Sequence, residues 1–298
     1  MSDLDRELPP ALGRVPVALV LPALLGVLVL VLPPLGLLLR TPWPGLWQQL
    51  TEPRVLEALR LSLVTASITA ALCVLLGVPL AWMLARVDFP GRRLVRALVT
   101  VPLVLPPVVG GVALLAVFGR RSGLVGGLVY DATGWQLAYT PAAVVVAQTF
   151  VALPFLVISV EGALRSADAR FEEVSATLGA SRWQTFRRVT LPVALPGVAS
   201  GTVLAWARAL GEFGATTTFA GNTEGVTQTL PLLVYQVLQT DPEAAYALSV
   251  LLLAISVGVL VLLRESWISG SPWTTGSRQG TRSRAGTDAE TAVVAAPR

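Results

Sequence analysis

Six apolar runs, each long enough to cross a lipid bilayer, constrain the fold of this chain more than any other feature of its sequence. A transmembrane helix needs about 20 mostly apolar residues, and it pairs its backbone N–H and C=O groups within itself. The sequence therefore predicts an all-α integral membrane protein with six transmembrane helices. The runs cover residues 15–39, 59–85, 97–118, 138–163, 197–220 and 244–263.

The composition excludes an ordinary soluble domain. Hydrophobic residues make up 54% of the chain, charged residues make up 13%, and the mean hydropathy is +0.69. The net charge of +4 comes from arginines in the short loops between apolar runs, so we interpret it as a determinant of membrane orientation and expect no nucleic-acid partner. The single cysteine, Cys73, allows no intrachain disulfide and is expected to be a small core residue.

The sequence divides into three parts. Residues 1–14 form a polar tail, residues 15–264 hold the six apolar runs, and residues 265–298 form a tail rich in Gly, Ser, Thr and Arg. The first run is too long for the apolar region of a signal peptide, so we expect it to be retained as a span, bent near Pro33 and Pro34. The composition of the last part predicts disorder.

The distribution of arginine predicts the orientation, since the chain has no lysine. With the N-terminus in the cytoplasm, sixteen arginines fall on the cytoplasmic side, five fall on the outer side, and Arg208 lies within a span. Basic residues accumulate in cytoplasmic loops. We therefore expect a multi-pass protein of the plasma membrane with both termini in the cytoplasm, and with residues 166–192 on the same side.

Residues 166–192, which we call the 166–192 segment, are polar and separate the fourth and fifth apolar runs. Asp168 can cap the start of a helix whose early turns carry Glu172 and Glu173, where acids complement the positive helix end. Gly179 is expected to end this helix because glycine adopts the left-handed conformation without steric cost. Three residues spaced for one apolar helix face are Phe171, Val174 and Leu178.

A second helix is expected to begin directly afterwards. Ser181 and Gln184 form a capping-box pattern, and Pro192 is expected to end the regular run. Each helix would have about ten residues, roughly half of the length that a bilayer crossing requires. The sequence thus predicts a helical hairpin outside the hydrocarbon. The residues expected to share one face of the second helix are Trp183, Phe186 and Thr190.

The spacing of Glu173, Gly179 and residues 189–192 resembles the "EAA" loop of importer-type ABC-transporter permeases. The chain departs from the family pattern with Val174 and Ser175 in place of two alanines, and with Val189 in place of isoleucine. In that family the loop forms a coupling helix that docks on a separate ATPase subunit. The resemblance implies a coupling role for Glu172, Glu173, Gly179, Ala180, Ser181, Leu191 and Pro192. The residues alone also allow a second interpretation, an amphipathic surface hairpin whose arginines face lipid phosphates.

Two residue types are missing from the chain, and their absence limits its chemistry. Without lysine there is no GxxxxGK[ST] phosphate loop, and without histidine there is neither an HExxH zinc motif nor a histidine-based triad. The spacing of acidic residues and cysteine suggests no metal site. We therefore expect no catalytic residues, metal or cofactor, and any ATP hydrolysis is expected on a second polypeptide.

The fifth run is rich in small residues and contains two charges. Gly197 and Gly201 form a GxxxG step that permits close helix packing, so we expect a central position that lines the pathway or a dimer seam. Arg208 and Glu212 are spaced to pair within one helix. The pair is either a neutralised structural contact or a charge facing an anion cavity. The pathway candidates are Arg208, Gly211, Glu212, Gly214 and Thr216.

Residues 208–216, 219–222 and 227–231, together with 118–124, resemble the membrane subunits of molybdate and tungstate importers, and to a lesser degree those of sulfate importers. The resemblance covers about residues 55–263. It implies a permease that works as two copies with two P-loop ATPase chains and an extracytoplasmic oxyanion-binding protein, surrounded by membrane lipid. The alternatives are a sulfate or thiosulfate permease, an ion-coupled secondary transporter, and a membrane scaffold without transport.

Overall fold

The computed structural model describes residues 17–121, 123–168 and 170–268, and the helices in these ranges carry the fold. The predicted tail 1–14 and most of the tail 265–298 lie outside the described residues. In chain order the helices are α1 (Val17–Arg40), α2 (Leu46–Leu50), α3 (Pro53–Arg86), α4 (Arg92–Val104), α5 (Pro107–Phe118), α6 (Gly126–Thr133), α7 (Pro141–Ser166), α8 (Arg170–Thr177), α9 (Arg182–Thr185), a π-helical turn (Phe186–Thr190), α10 (Leu191–Leu210), α11 (Gly214–Phe219), α12 (Leu230–Leu238) and α13 (Pro242–Ile268).

The described residues contain five helices that are long and apolar enough to cross a membrane, or six if one bent pair forms a single span. This agrees with the all-α class, and it gives the six predicted spans when the bent pair is counted as one. Two boundaries are extended: α3 begins at Pro53, before the predicted residue 59, and α13 continues to Ile268. The start of the tail predicted as disordered, residues 265–268, is therefore helical. Pro33 and Pro34 do not interrupt α1.

The bent pair corrects the third predicted span. Instead of one straight helix over residues 97–118, α4 and α5 meet at an angle of 119°. Leu105 and Pro106 have extended backbone angles at the break. Proline lacks the N–H of a helical hydrogen bond and disfavours the helical conformation in the residue before it, so Pro106 followed by Pro107 separates the two helices.

The fifth predicted span is displaced towards the N-terminus. α10 ends at Leu210, and α11 is a separate short helix, so the predicted continuous helix over residues 197–220 is wrong. At its other end, α10 is continuous with the π-helical turn and α9. One helix therefore runs from Arg182 to Leu210. Pro192 therefore lies within the helix and does not end it.

The largest buried cluster lies among α3, α7 and α10. A Cβ atom at Gly197 would lie 2.4 Å from the Cβ of Ala163, and a Cβ at Gly201 would lie 3.0 Å from the Cα of Leu156. The Ser159 hydroxyl donates a hydrogen bond across the same contact to the Gly197 carbonyl, with a donor–acceptor distance of 2.9 Å. The close helix packing predicted from the GxxxG step is thus confirmed, because any side chain at these glycines would separate α10 from α7.

The outermost helix is α1, which lies against α13 and exposes apolar side chains along most of its length. Such a surface is stable only in contact with lipid or with another apolar protein surface. α1 therefore forms the periphery of the helical bundle.

Candidate functional site

The first helix of the 166–192 segment is closed at both ends as the sequence predicts. A carboxylate oxygen of Asp168 accepts a hydrogen bond from the Arg170 backbone N–H at 2.9 Å. Gly179 has a φ of 81°, the left-handed conformation. The N–H of Ala180 bonds to the carbonyl of Ser175 at 3.2 Å, which gives the hydrogen-bond pattern of a Schellman motif. The predicted glycine stop is confirmed.

The second helix begins with the predicted capping box. The Gln184 N–H donates to the Ser181 hydroxyl at 3.3 Å, and the Ser181 N–H donates to the Gln184 side chain at 2.8 Å. Beyond it the helix widens into the π-helical turn, in which the Leu191 N–H bonds to the Phe186 carbonyl five residues back. This wider turn precedes Pro192, which has no N–H to donate, and the helix continues into α10.

The two helices are fixed to each other and to α3. The hydroxyls of Ser175 and Thr185 lie 3.0 Å apart between the first helix and the second. The Arg86 guanidinium, at the end of α3, donates to the Glu172 carboxylate at 3.0 Å in a half-buried pair. Aromatic contacts hold the second helix, since Phe186 stacks on Trp183 and meets Trp82 edge-on. The segment is thus a rigid extension of the helical bundle.

The apolar face of the first helix points away from the protein, and Trp183 of the second helix is exposed beside it, whereas Phe186 packs on Trp82 and Thr190 is buried. Phe171 is 61% exposed, Leu178 is 82% exposed and Trp183 is 67% exposed. Glu173 is also exposed, whereas Glu172 turns inward to Arg86. Contiguous exposed apolar side chains on a rigid surface are typical of a protein-binding site. The segment therefore carries exposed apolar side chains in fixed positions.

Arg208 and Glu212 form an ion pair, but they do not lie in one helix as predicted. Glu212 follows the end of α10, and its carboxylate lies 2.6 Å from Arg208. The other carboxylate oxygen accepts a hydrogen bond from the Ala215 N–H at 2.8 Å, which caps the start of α11. The Glu212 side chain is 1% exposed and the Arg208 side chain is 28% exposed. The pair therefore fixes the turn between two helices while one edge of Arg208 stays accessible.

The other pathway candidates occupy different environments. Gly211 is exposed beside the ion pair, whereas Gly214 and Thr216 are buried in α11. A Cβ at Gly214 would lie 2.8 Å from the Cβ of Pro107, so this glycine allows α11 to pack on α5. Among the described residues the Thr216 hydroxyl has no hydrogen-bond partner. The structure thus brings Arg208, Gly211 and Glu212 together and places Gly214 and Thr216 in a helix contact.

Sequence reasoning missed a second ion-pair network. Arg96, on α4, contacts Glu161, on α7, at 2.6 Å, and Arg165 lies 3.7 Å from the same carboxylate. Glu161 is one of the few acidic residues within the predicted spans, and it is held between two arginines. The contact with Arg96 joins α4 to α7. Only the Glu161 and Arg165 spacing of four residues was visible in the sequence.

Comparison with known proteins identifies the family. Residues 77–269 match the family described as "Binding-protein-dependent transport system inner membrane component". The chain belongs to this family. The permease is therefore a transport subunit of an ABC importer and not an enzyme, as the resemblance of residues 173–192 implied.

The permease is similar to curated relatives over most of its length. It is 53% identical to the "Molybdenum transport system permease protein ModB" of Mycobacterium tuberculosis, over 81% of this chain and 90% of that protein. It is 40% identical to the protein of the same name from Escherichia coli K12, over 74% of this chain and 95% of that protein. It is 35% identical to the "Probable sulfate transport system permease protein cysT" of Zygnema circumcarinatum, over 80% of this chain and 84% of that protein.

The fold of the permease is that of a solved importer. It matches a chain of the bacterial alginate ABC transporter, described in complex with an alginate pentasaccharide-bound periplasmic protein, with a TM-score of 0.68 and 16% identity. The match covers 83% of the permease and 92% of the other chain. At this identity the comparison supports the fold, and it agrees with the all-α class predicted from the apolar runs.

Proposed function

We propose that this permease is the membrane subunit of an ATP-driven importer of molybdate and tungstate. The observation that carries the substrate class is its 53% identity to a molybdenum permease over 90% of that protein's length. The sulfate-type relative is less similar, at 35% identity. Sulfate and thiosulfate therefore serve as competing substrates in the test.

The proposed coupling surface is the apolar face of the 166–192 segment. The first helix, closed at both ends, and the capped start of the second helix are fixed to α3 by the Arg86 and Glu172 pair, and they present this face to a separate P-loop ATPase. The exposed carboxylate of Glu173 lies on the same segment and would form polar contacts at the rim. The residues proposed to act in coupling, either at this face or by fixing the helices that carry it, are Glu172, Glu173, Gly179, Ala180, Ser181, Leu191 and Pro192.

The proposed pathway forms between two copies of the permease, with an extracytoplasmic oxyanion-binding protein on the outer side. The alginate relative, described in complex with a periplasmic protein, supports a partner of that kind. Arg208, with its accessible edge, is the candidate for contact with the anion, while its ion pair with Glu212 limits the cost of placing it within a span. Gly211 borders the same position.

Reconstitution tests the proposed function directly. The permease, its ATPase and its binding protein in proteoliposomes should take up molybdate and tungstate when ATP is supplied. Excess sulfate or thiosulfate should leave this uptake unchanged, and so should a protonophore. Competition by sulfate would assign the permease to the sulfate class, and collapse of uptake with the proton gradient would contradict ATP-driven transport.

The proposed topology places both termini and the 166–192 segment in the cytoplasm. Reporter fusions after Arg264 should be cytoplasmic, and fusions near Gly225 and Gly134 should be external. The fusion at Gly134 follows the bent pair α4 and α5, so it tests whether that pair crosses the membrane. A cytoplasmic reporter at Gly134 would mean that α4 and α5 enter and leave on one side, and the six-span arrangement would be wrong.

A further inference from the structure

A pocket of about 680 Å³ lies where α3 ends, α4 begins and α7 ends. Asp88 is the acidic residue in its lining, and Glu161 lies behind it in contact with Arg96 and Arg165. Counting the four lining arginines against these two carboxylates leaves two positive charges. The pocket is therefore suited to an anion. The lining arginines are Arg92, Arg93, Arg96 and Arg165.

Two of the arginines are held in place by the end of α3. Arg92 donates to the Leu84 carbonyl at 2.9 Å, and Arg96 donates to the same carbonyl at 3.1 Å. Arg96 is also fixed by Glu161. Gly91, with a φ of 88°, turns the chain so that α4 returns towards α3. The positive wall of the pocket is therefore preorganised.

The other two arginines are exposed and can reach a ligand. Arg93 is exposed, and the side chain of Arg165 is 57% exposed although it lies 3.7 Å from Glu161. Guanidinium groups bind phosphate oxygens through paired N–H donors, so two accessible arginines above a fixed positive wall match the shape of a phosphate group.

The surroundings of the pocket indicate which phosphate it binds. On α4 the arginines lie on one side, and three exposed apolar residues spaced by one and two turns lie on the opposite side: Leu94, Leu98 and Val101. Because the arginines occupy the first turns of α4, they lie at the membrane surface among the headgroups, while the apolar side of the helix faces the acyl chains. The pocket thus sits at the depth of lipid phosphates. A soluble oxyanion would gain nothing from the apolar side of α4.

We propose that this pocket is a binding site for the phosphate headgroup of an anionic phospholipid. The lipid joins the ends of α3, α4 and α7 on the side of the membrane that carries the 166–192 segment. Since α4 belongs to the bent pair, the bound lipid also holds that helix against the bundle.

Native mass spectrometry of the permease purified with its ATPase tests the site, with phosphatidylglycerol titrated into phosphatidylcholine. The double substitution Arg93→Gln with Arg165→Gln should weaken phosphatidylglycerol binding roughly thirtyfold, since each arginine near an anionic lipid contributes about fivefold. The matched control, Arg40→Gln with Arg121→Gln, removes the same charge from exposed positions elsewhere and should bind as wild type does. Arg93→Lys with Arg165→Lys keeps the charge and should retain most of the binding.

Three results would overturn the proposal. Equal phosphatidylglycerol affinity in wild type and the double glutamine variant would show that the pocket binds no lipid. Molybdate or inorganic phosphate binding in lipid-free detergent, lost in that variant, would assign the pocket to a soluble oxyanion. Loss of the ATPase from the variant in pure phosphatidylcholine would make the arginines a protein contact.

Discussion

Replacing Gly179 with valine is expected to abolish ATP-driven uptake while leaving the permease inserted in the membrane. Gly179 has a φ of 81°, and a Cβ at this position would meet no other atom within 4 Å, so the effect of valine would come from backbone strain and not from a clash. A left-handed conformation costs an ordinary residue about 1–2 kcal/mol, and more when the residue is β-branched. Relief of that strain would reorient the two helices of the 166–192 segment. Pull-down of the ATPase and uptake, both normalised to permease in the membrane, measure the effect.

The matched control is Gly179→Asn, because asparagine tolerates the left-handed conformation and should keep ATPase association and uptake close to wild type. Glu173→Lys inverts an exposed charge on the same segment and should act in the same direction as valine. Wild-type uptake in both Gly179→Val and Glu173→Lys would make the 166–192 segment a passive surface hairpin.

Replacing Arg208 with methionine is expected to remove most of the folded permease from the membrane. Glu212 is 1% exposed, and without Arg208 its carboxylate would be buried without a positive partner. Breaking a buried ion pair by removing one partner costs about 3–5 kcal/mol. The amount of permease in a detergent extract that elutes as a single species on size exclusion measures the loss.

The double substitution Arg208→Met with Glu212→Gln separates structure from transport. Glutamine keeps an oxygen that can accept the Ala215 N–H and so preserves the cap of α11, while both charges are removed. If the pair is only structural, the double variant should recover both expression and molybdate uptake. Full expression without uptake would instead show that Arg208 contacts the anion.

Helix ends and capping contacts that depend on near neighbours in the chain were predictable from the sequence. The glycine stop at Gly179 and the capping box of Ser181 depend on neighbours within five residues, and both occur as expected. The pairs between Arg86 and Glu172 and between Arg96 and Glu161 join residues 86 and 65 positions apart, so no local pattern indicates them. They depend on the packing of whole helices.

Proline shows where local rules stop being sufficient. The sequence predicts that Pro192 ends a helix, yet the π-helical turn before it changes the hydrogen-bond register and the helix continues. At Pro106 and Pro107 two consecutive residues lack an N–H, and the helix breaks by 119°. Whether a single proline ends a helix depends on the turn that precedes it, which the spacing of residue types does not encode.

The unbroken course of the chain from Arg182 to Leu210 makes the second helix of the 166–192 segment one arm of a lever. Its 29 residues span about 44 Å at 1.5 Å per residue, from the capping box to the turn that holds Arg208 and Glu212. Motion imposed at the proposed coupling surface would therefore reach the Arg208 end of the span through one helix, without passing through a loop.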